Sequence, residues 1–81
     1  AFVGVGVNSE IDDVEMVAIL VDKNPNMLSG FFEFSDKVLP SIATKIKMAE
    51  SSDIITIVKT ADYKYYMAKK SVNVTLGGCG S

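Results

Sequence analysis

Residues 14–22, Val-Glu-Met-Val-Ala-Ile-Leu-Val-Asp, are the stretch with the fewest places to go in a folded chain. After Glu15 the run is apolar on both faces, and its length and β-branched content suit a strand in the middle of a sheet. A buried helix is its rival. The flanking sequence supplies candidate neighbours as short alternating runs separated by turn signals. Residues 1–7, Ala-Phe-Val-Gly-Val-Gly-Val, set Val3, Val5 and Val7 on one face and glycines on the other, which fits a strand under close packing. Residues 8–13 are polar and acidic and read as a loop. Asn24-Pro25-Asn26 is strong turn punctuation, because proline fixes φ and asparagine bonds its own backbone.

Further on, Phe31, Phe32 and Phe34 surround Glu33 in a short aromatic strand over residues 30–34, its rings expected in the core. Residues 35–40 read as a loop, since Pro40 would remove a donor inside the second turn of any helix begun there. Residues 41–48 alternate, with Ile42, Thr44, Ile46 and Met48 opposite Ala43, Lys45 and Lys47; the same residues also fit helical i, i+4 spacing. A turn at residues 50–53 precedes a β-branched strand at 54–59, and residues 61–64 look like a hairpin tip. Tyr65, Met67 and Lys69 then alternate with Tyr66, Ala68 and Lys70, although Thr60 could cap a helix through Lys70 instead. Strong strands on both sides leave little room for the crossover of a dozen or so residues that parallel pairing needs, so the strand is preferred. Val72, Val74 and Leu76 close the series as a final strand. Five to seven short strands between turns predict an all-β, antiparallel sandwich over residues 1–76, followed by a short arm at 77–81.

Composition removes several classes of function. At 81 residues the chain is one small domain, and a chain of that size buries only about 60% of its unfolded surface. One cysteine and no histidine exclude an internal disulfide framework and leave almost nothing to hold zinc or copper, so no metal or other cofactor is expected. A net charge of −2 without a basic block makes nucleic acid and anionic membranes poor partners. No apolar run approaches the roughly 20 residues that span a bilayer. The chain begins at Ala1 rather than methionine, as expected of a processed product or a fragment. Glu10, Asp12 and Asp13 lack the spaced oxygen ligands and turn glycine of a calcium loop, and read as a solvated turn. Lys45, Lys47, Lys69 and Lys70 fit a wet face or a protected edge. Gly4 and Gly6 are no phosphate loop, because no helix start follows them.

Cys79 is different in kind. The last strand runs into Gly77, Gly78, Cys79 and Gly80, and a glycine-flanked thiol two residues from the end has little to be buried in. The span from Gly77 to Cys79 reaches about 10 Å when extended. Exposed thiols are oxidisable and soluble proteins tend to avoid them, which favours a dedicated role over accident. An ordinary thiol is only a few per cent thiolate near neutrality. With no activating neighbour in sequence, this one reads as a carried group on which other enzymes act, so the chain itself is not expected to be an enzyme. The competing reading is a structural immunoglobulin-like module whose Cys79 only cross-links two copies through a disulfide. A prenylation box would need the cysteine fourth from the end, and Cys79 is third.

Val-Thr-Leu-Gly-Gly-Cys-Gly at 74–80 resembles the carrier motif of the SoxY family, the sulfur-carrying subunits of the bacterial thiosulfate-oxidising system. The likeness continues through Ala-Ile-Leu-Val-Asp-Lys-Asn-Pro-Asn at 18–26, Phe-Glu-Phe at 32–34, Ala-Thr-Lys-Ile-Lys-Met-Ala-Glu at 43–50 and Ala-Lys-Lys-Ser-Val-Asn-Val-Thr-Leu at 68–76. The resemblance implies an immunoglobulin-like sandwich that begins inside the family domain, with a further N-terminal segment outside this sequence. It also implies a heterodimer with a SoxZ-like subunit in the periplasm, and Cys79 as the covalent attachment point for sulfur on an arm made slim and mobile by Gly77, Gly78 and Gly80. Other Sox enzymes would load, hydrolyse and oxidise the bound sulfur. The family pattern ends Gly-Gly-Cys-Gly-Gly, from which Ser81 departs.

Overall fold

The apolar run at 14–22 becomes β2 (Val14–Val21), and it is an interior strand as its composition requires. The computed structural model describes residues 2–34 and 41–74. Around β2 stand β1 (Phe2–Asn8), β3 (Leu28–Glu33), β4 (Ser41–Lys47), β5 (Ser52–Thr60) and β6 (Tyr65–Val72), and there is no helix among the described residues. One sheet has the order β3-β2-β5-β6 and the other pairs β1 with β4, every pairing being antiparallel. The result is an all-β, immunoglobulin-like sandwich, with six strands in two sheets among the described residues.

Burial follows the pleat. Val17, Ile19 and Val21 alternate along β2 and are fully buried, and Ile19 and Val21 meet Ile46 and Met48 at the β4 side and Ile54 on β5. A second cluster gathers Val14, Val17, Ile42 and Val58. Val3, Val5 and Val7 lean onto these clusters from β1. The 41–48 segment is a strand with Ile42, Ile46 and Met48 inward, so the period of two prevails over the helical reading. Isolated short helices are marginal, whereas each alternate apolar residue here gains a buried face. The helix considered from Thr60 to Lys70 is likewise replaced by a hairpin and β6.

Three expectations need correction. Close packing was expected on the glycine face of β1, yet a Cβ at Gly4 would meet nothing within 4 Å, and one at Gly6 only the Ile42 carbonyl at 4.0 Å. Of the three phenylalanines assigned to the core, Phe32 and Phe34 pack against it, but Phe31 is 53% exposed, because it sits on the outward side of β3. The expected separate final strand from Val72 is instead the end of a strand that starts at Tyr65, and Asn73 and Val74 lie beyond it. Residues 35–40, read as a loop, lie outside the described residues.

Removing a fully buried branched side chain loses transfer energy and leaves a cavity. Ile19→Ala is therefore expected to cost about 2–5 kcal/mol, measured by urea unfolding as a lower midpoint with an unchanged slope. Ile55→Ala, on the half-buried outer side of β5, should cost clearly less. Equal losses at the two positions would show that the inward face is not the core.

Candidate functional site

The one chemistry-bearing group singled out by the sequence, Cys79, lies outside the described residues together with Gly77, Gly78 and Gly80. What the structure describes is the root from which they depart. Its position is set at the opposite end of the sheet, in the β5–β6 turn. The Thr60 amide donates to the Lys64 carbonyl (2.9 Å) and the Tyr63 amide to the Thr60 carbonyl (3.1 Å), with Tyr63 in the left-handed region at φ 64°. The Thr60 hydroxyl pairs with the Asp62 carboxylate, and the Lys64 amide donates to the same hydroxyl at 3.2 Å. This closed turn fixes a register in which Lys59 faces Tyr65 and, one strand length later, Ser52 faces Val72.

Beyond β6 the chain is still held for two residues. The Val74 amide donates to the Ser51 hydroxyl at 2.8 Å, and that hydroxyl lies 3.4 Å from the Val74 carbonyl. Val72 and Val74 both pack on the cluster of Ile19, Val21, Ile46, Met48 and Ile54. The alternation read in the sequence thus governs packing past the last ladder pair. Neighbouring groups stiffen the same end: the Ser71 hydroxyl donates to Asp53 (2.7 Å), and the Lys23 amide to the Ser52 hydroxyl (2.9 Å). The Asn24 side chain bridges the β2–β3 turn to the end of β4, donating to the Lys47 carbonyl (2.7 Å) and accepting from the Ala49 amide (3.0 Å). A shallow polar depression of about 240 Å³, lined in part by Asp22, Lys23, Ser52 and Asn73, opens beside the root. The Ser51 contact was not read from the sequence, where residues 50–53 registered only as a turn; a lone serine carries no sign of a partner 23 positions away.

Against this geometry, the model of the family described as sulfur oxidation protein SoxY matches residues 1–79, nearly the whole chain and through the cysteine. The chain belongs to the SoxY family. Among solved structures, the sulfur carrier protein SoxY from Chlorobium limicola f thiosulfatophilum is similar with a TM-score of 0.82 and 25% sequence identity, over 94% of this chain and 68% of that one. No curated protein matches the sequence. Family membership accounts for the sandwich and for the motif in which the sequence ends.

The other candidate groups fall elsewhere. Among the described residues no cluster of three or more histidine, cysteine or carboxylate side chains could hold a metal, and Glu10, Asp12 and Asp13 do not form one. Asp13, at φ 58°, instead offers its carbonyl to the Ala61 amide at 2.9 Å and ties the acidic loop to the hairpin. Lys69 and Lys70 lie on the edge strand β6, and Lys45 and Lys47 point outward from β4. No helix is long and apolar enough to cross a membrane among the described residues. Lys59 pairs with Glu15, whose hydrogen bond raises the lysine pKa, and its ammonium sits 4.6 Å from the centre of the Tyr63 ring.

Two outcomes test this construction. Ser51→Ala removes the hydroxyl that receives the Val74 amide, so it should cost about 1 kcal/mol and speed hydrogen exchange at Val74 while leaving the Val58 amide protected. In the hairpin, the Thr60 hydrogen bond lowers the Asp62 pKa below the usual carboxylate range. A lowered pKa means that ionised Asp62 favours the folded state, a contribution present above the ordinary carboxylate pKa and lost as pH falls through the lowered one. Asp62→Asn should therefore reduce stability at neutral pH and close the gap to the parent protein in acid, as measured by denaturation at a series of pH values.

Proposed function

We propose that this chain is a covalent carrier of sulfur intermediates in thiosulfate oxidation, with Cys79 as the attachment point. The observation that carries the reading is the family match, which runs to residue 79 and so includes the only cysteine in the chain. The solved relative described as a sulfur carrier protein adds to it. The described geometry is compatible: the sandwich holds the chain firmly up to Val74, and the cysteine follows five residues later.

Joining a thiolate sulfur to the outer sulfur of thiosulfate forms one S–S bond and releases two electrons, which a partner oxidase must accept. Attack of water on the terminal sulfonate then releases sulfate and two protons and leaves a persulfide on the cysteine. The carrier supplies neither the electron acceptor nor the base, and with no histidine it is poorly equipped to do so. Partner enzymes therefore perform the steps, and the carrier is not an enzyme. A conjugate ending in a sulfonate is anionic, so partner clefts should present arginine or lysine to it. Gly77, Gly78 and Gly80, without side chains, would let the thiol enter such clefts. Family membership also supports a heterodimer with a SoxZ-like subunit and a periplasmic location for the mature chain.

The test is the intact mass of the protein isolated from thiosulfate-grown cells, with and without reductant. Reductant-sensitive adducts of sulfur or thiosulfate mass are expected, absent from Cys79→Ser, and thiosulfate oxidation should cease in that variant. Unmodified thiol throughout, with Cys79→Ser fully active, would sink the proposal. A disulfide-linked dimer that works equally well after Gly77 and Gly78 are replaced by proline would favour the cross-linking module instead.

A further inference from the structure

The chain leaves the larger sheet in two stages. The last rung of the β5–β6 ladder joins Ser52 and Val72. Two residues later a separate contact takes over: the Val74 amide donates to the Ser51 hydroxyl at 2.8 Å, and the half-buried Val74 side chain leans on the cluster around Ile19 and Ile54. That contact lies outside the ladder, so losing it breaks no rung. The socket also stands without the tail, because its turn is fastened from other sides. The Ala49 amide donates to the Asn24 side chain at 3.0 Å, and the Lys23 amide to the Ser52 hydroxyl at 2.9 Å. From Val72 back the chain is held harder, by the ladder itself and by the Ser71 hydroxyl on Asp53 at 2.7 Å.

We propose that Ser51 is a positioning residue that sets the length of the carrier arm and gives it two reaches, an inference that rests on the sulfur-carrier reading. Held at Val74, Cys79 stands five residues from its anchor and reaches about 17 Å when extended. Released to Val72, it stands seven residues away and reaches about 24 Å. One neutral hydrogen bond and one half-buried valine are a small hold, and release returns the backbone freedom of Asn73 and Val74. A partner that grips the drawn-out tail more tightly than the latched one therefore shifts the balance toward release, and Ser71 with Asp53 stops the withdrawal at the ladder. A shallow cleft is served by the latched arm. A deeper one takes the released arm, with its apparent affinity lowered by the latch it has to open.

Strand β6 supplies the ruler. Lys70 and Tyr66 share one face of it, and at about 3.3 Å per residue they lie about 13 Å and about 26 Å back from Val74. A disulfide spans about 6 Å between Cα atoms. The latched arm can therefore join Cys79 to Lys70→Cys but not to Tyr66→Cys, and the released arm can join both. In dilute protein under mild oxidation by glutathione disulfide, closure at Lys70→Cys should be fast with or without the Ser51 hydroxyl. Closure at Tyr66→Cys should rise roughly five- to tenfold when Ser51→Ala is added and fall back with Ser51→Thr, which keeps the hydroxyl, each variant showing the parent circular dichroism. Equal Tyr66→Cys rates with and without that hydroxyl would overturn the proposal. The ruler involves neither thiosulfate nor a partner enzyme, so its failure strikes the latch and leaves the carrier reading to the mass measurement. Among the enzymes that act on Cys79, Ser51→Ala should lower KM for at least one with kcat unchanged; an unchanged KM for all of them would overturn the second reach as a working part.

Discussion

The antiparallel ladder between β2 and β5 is the contact on which the rest of the molecule depends. It joins the two interior strands of the larger sheet and gives β3 and β6 their templates on either side. It also places Val17, Ile19 and Val21 beside Val58 and Ile54, forming one wall of the core. A strand pair alone is marginal in water; here it is stabilised because β1 and β4 close over its inward side and bury those five side chains against Ile42, Ile46 and Met48. Hydrogen bonding keeps pace with burial, and no buried side-chain nitrogen or oxygen among the described residues lacks a partner.

From that ladder the placement of Val74, the last described residue, follows in steps. The Thr60–Lys64 turn returns the chain antiparallel to β5, the eight paired residues of β6 carry it back past Ser52, and Ser51 holds it at Val74. The polar contacts at this end, between Asp53 and Ser71, Lys23 and Ser52, and Asn24 and the end of β4, fasten neighbouring elements around the same point. The Lys59–Glu15 pair and the Asp62 cluster lie at the other end of the sheet. They set register rather than chemistry.

Much of this was legible in the residues because period and punctuation are local properties. The alternation of Ile42, Ile46 and Met48, the turn at 61–64 and the two-sided apolar run of β2 each state their structure within a few residues. Two of the three misreadings share one cause: they concern which face of a strand finds a cover. Phe31 and Phe32 are identical in sequence terms, yet one meets the core and the other does not. The open face beside Gly4 depends on what the two-stranded sheet leaves uncovered. The tether from Ser51 to Val74 is a long-range contact between residues that have no local pattern in common. Cys79 stood out for a different reason, as the lone reactive side chain in a setting of glycines, which composition alone reveals.

The edge position of β6 has a mechanical consequence. Among the described residues its only ladder partner is β5, and the chain runs toward its C-terminus past the end where Ser52 faces Val72. A partner drawing on the tail along the strand axis loads the ladder in shear, so that its rungs resist together. The same force applied across the sheet peels the edge open, with Ser51 giving way first and Val72 next, one rung at a time. The sandwich is therefore stiff toward a visitor that pulls straight and yielding toward one that pulls aside, and the direction of approach becomes part of what a partner must match.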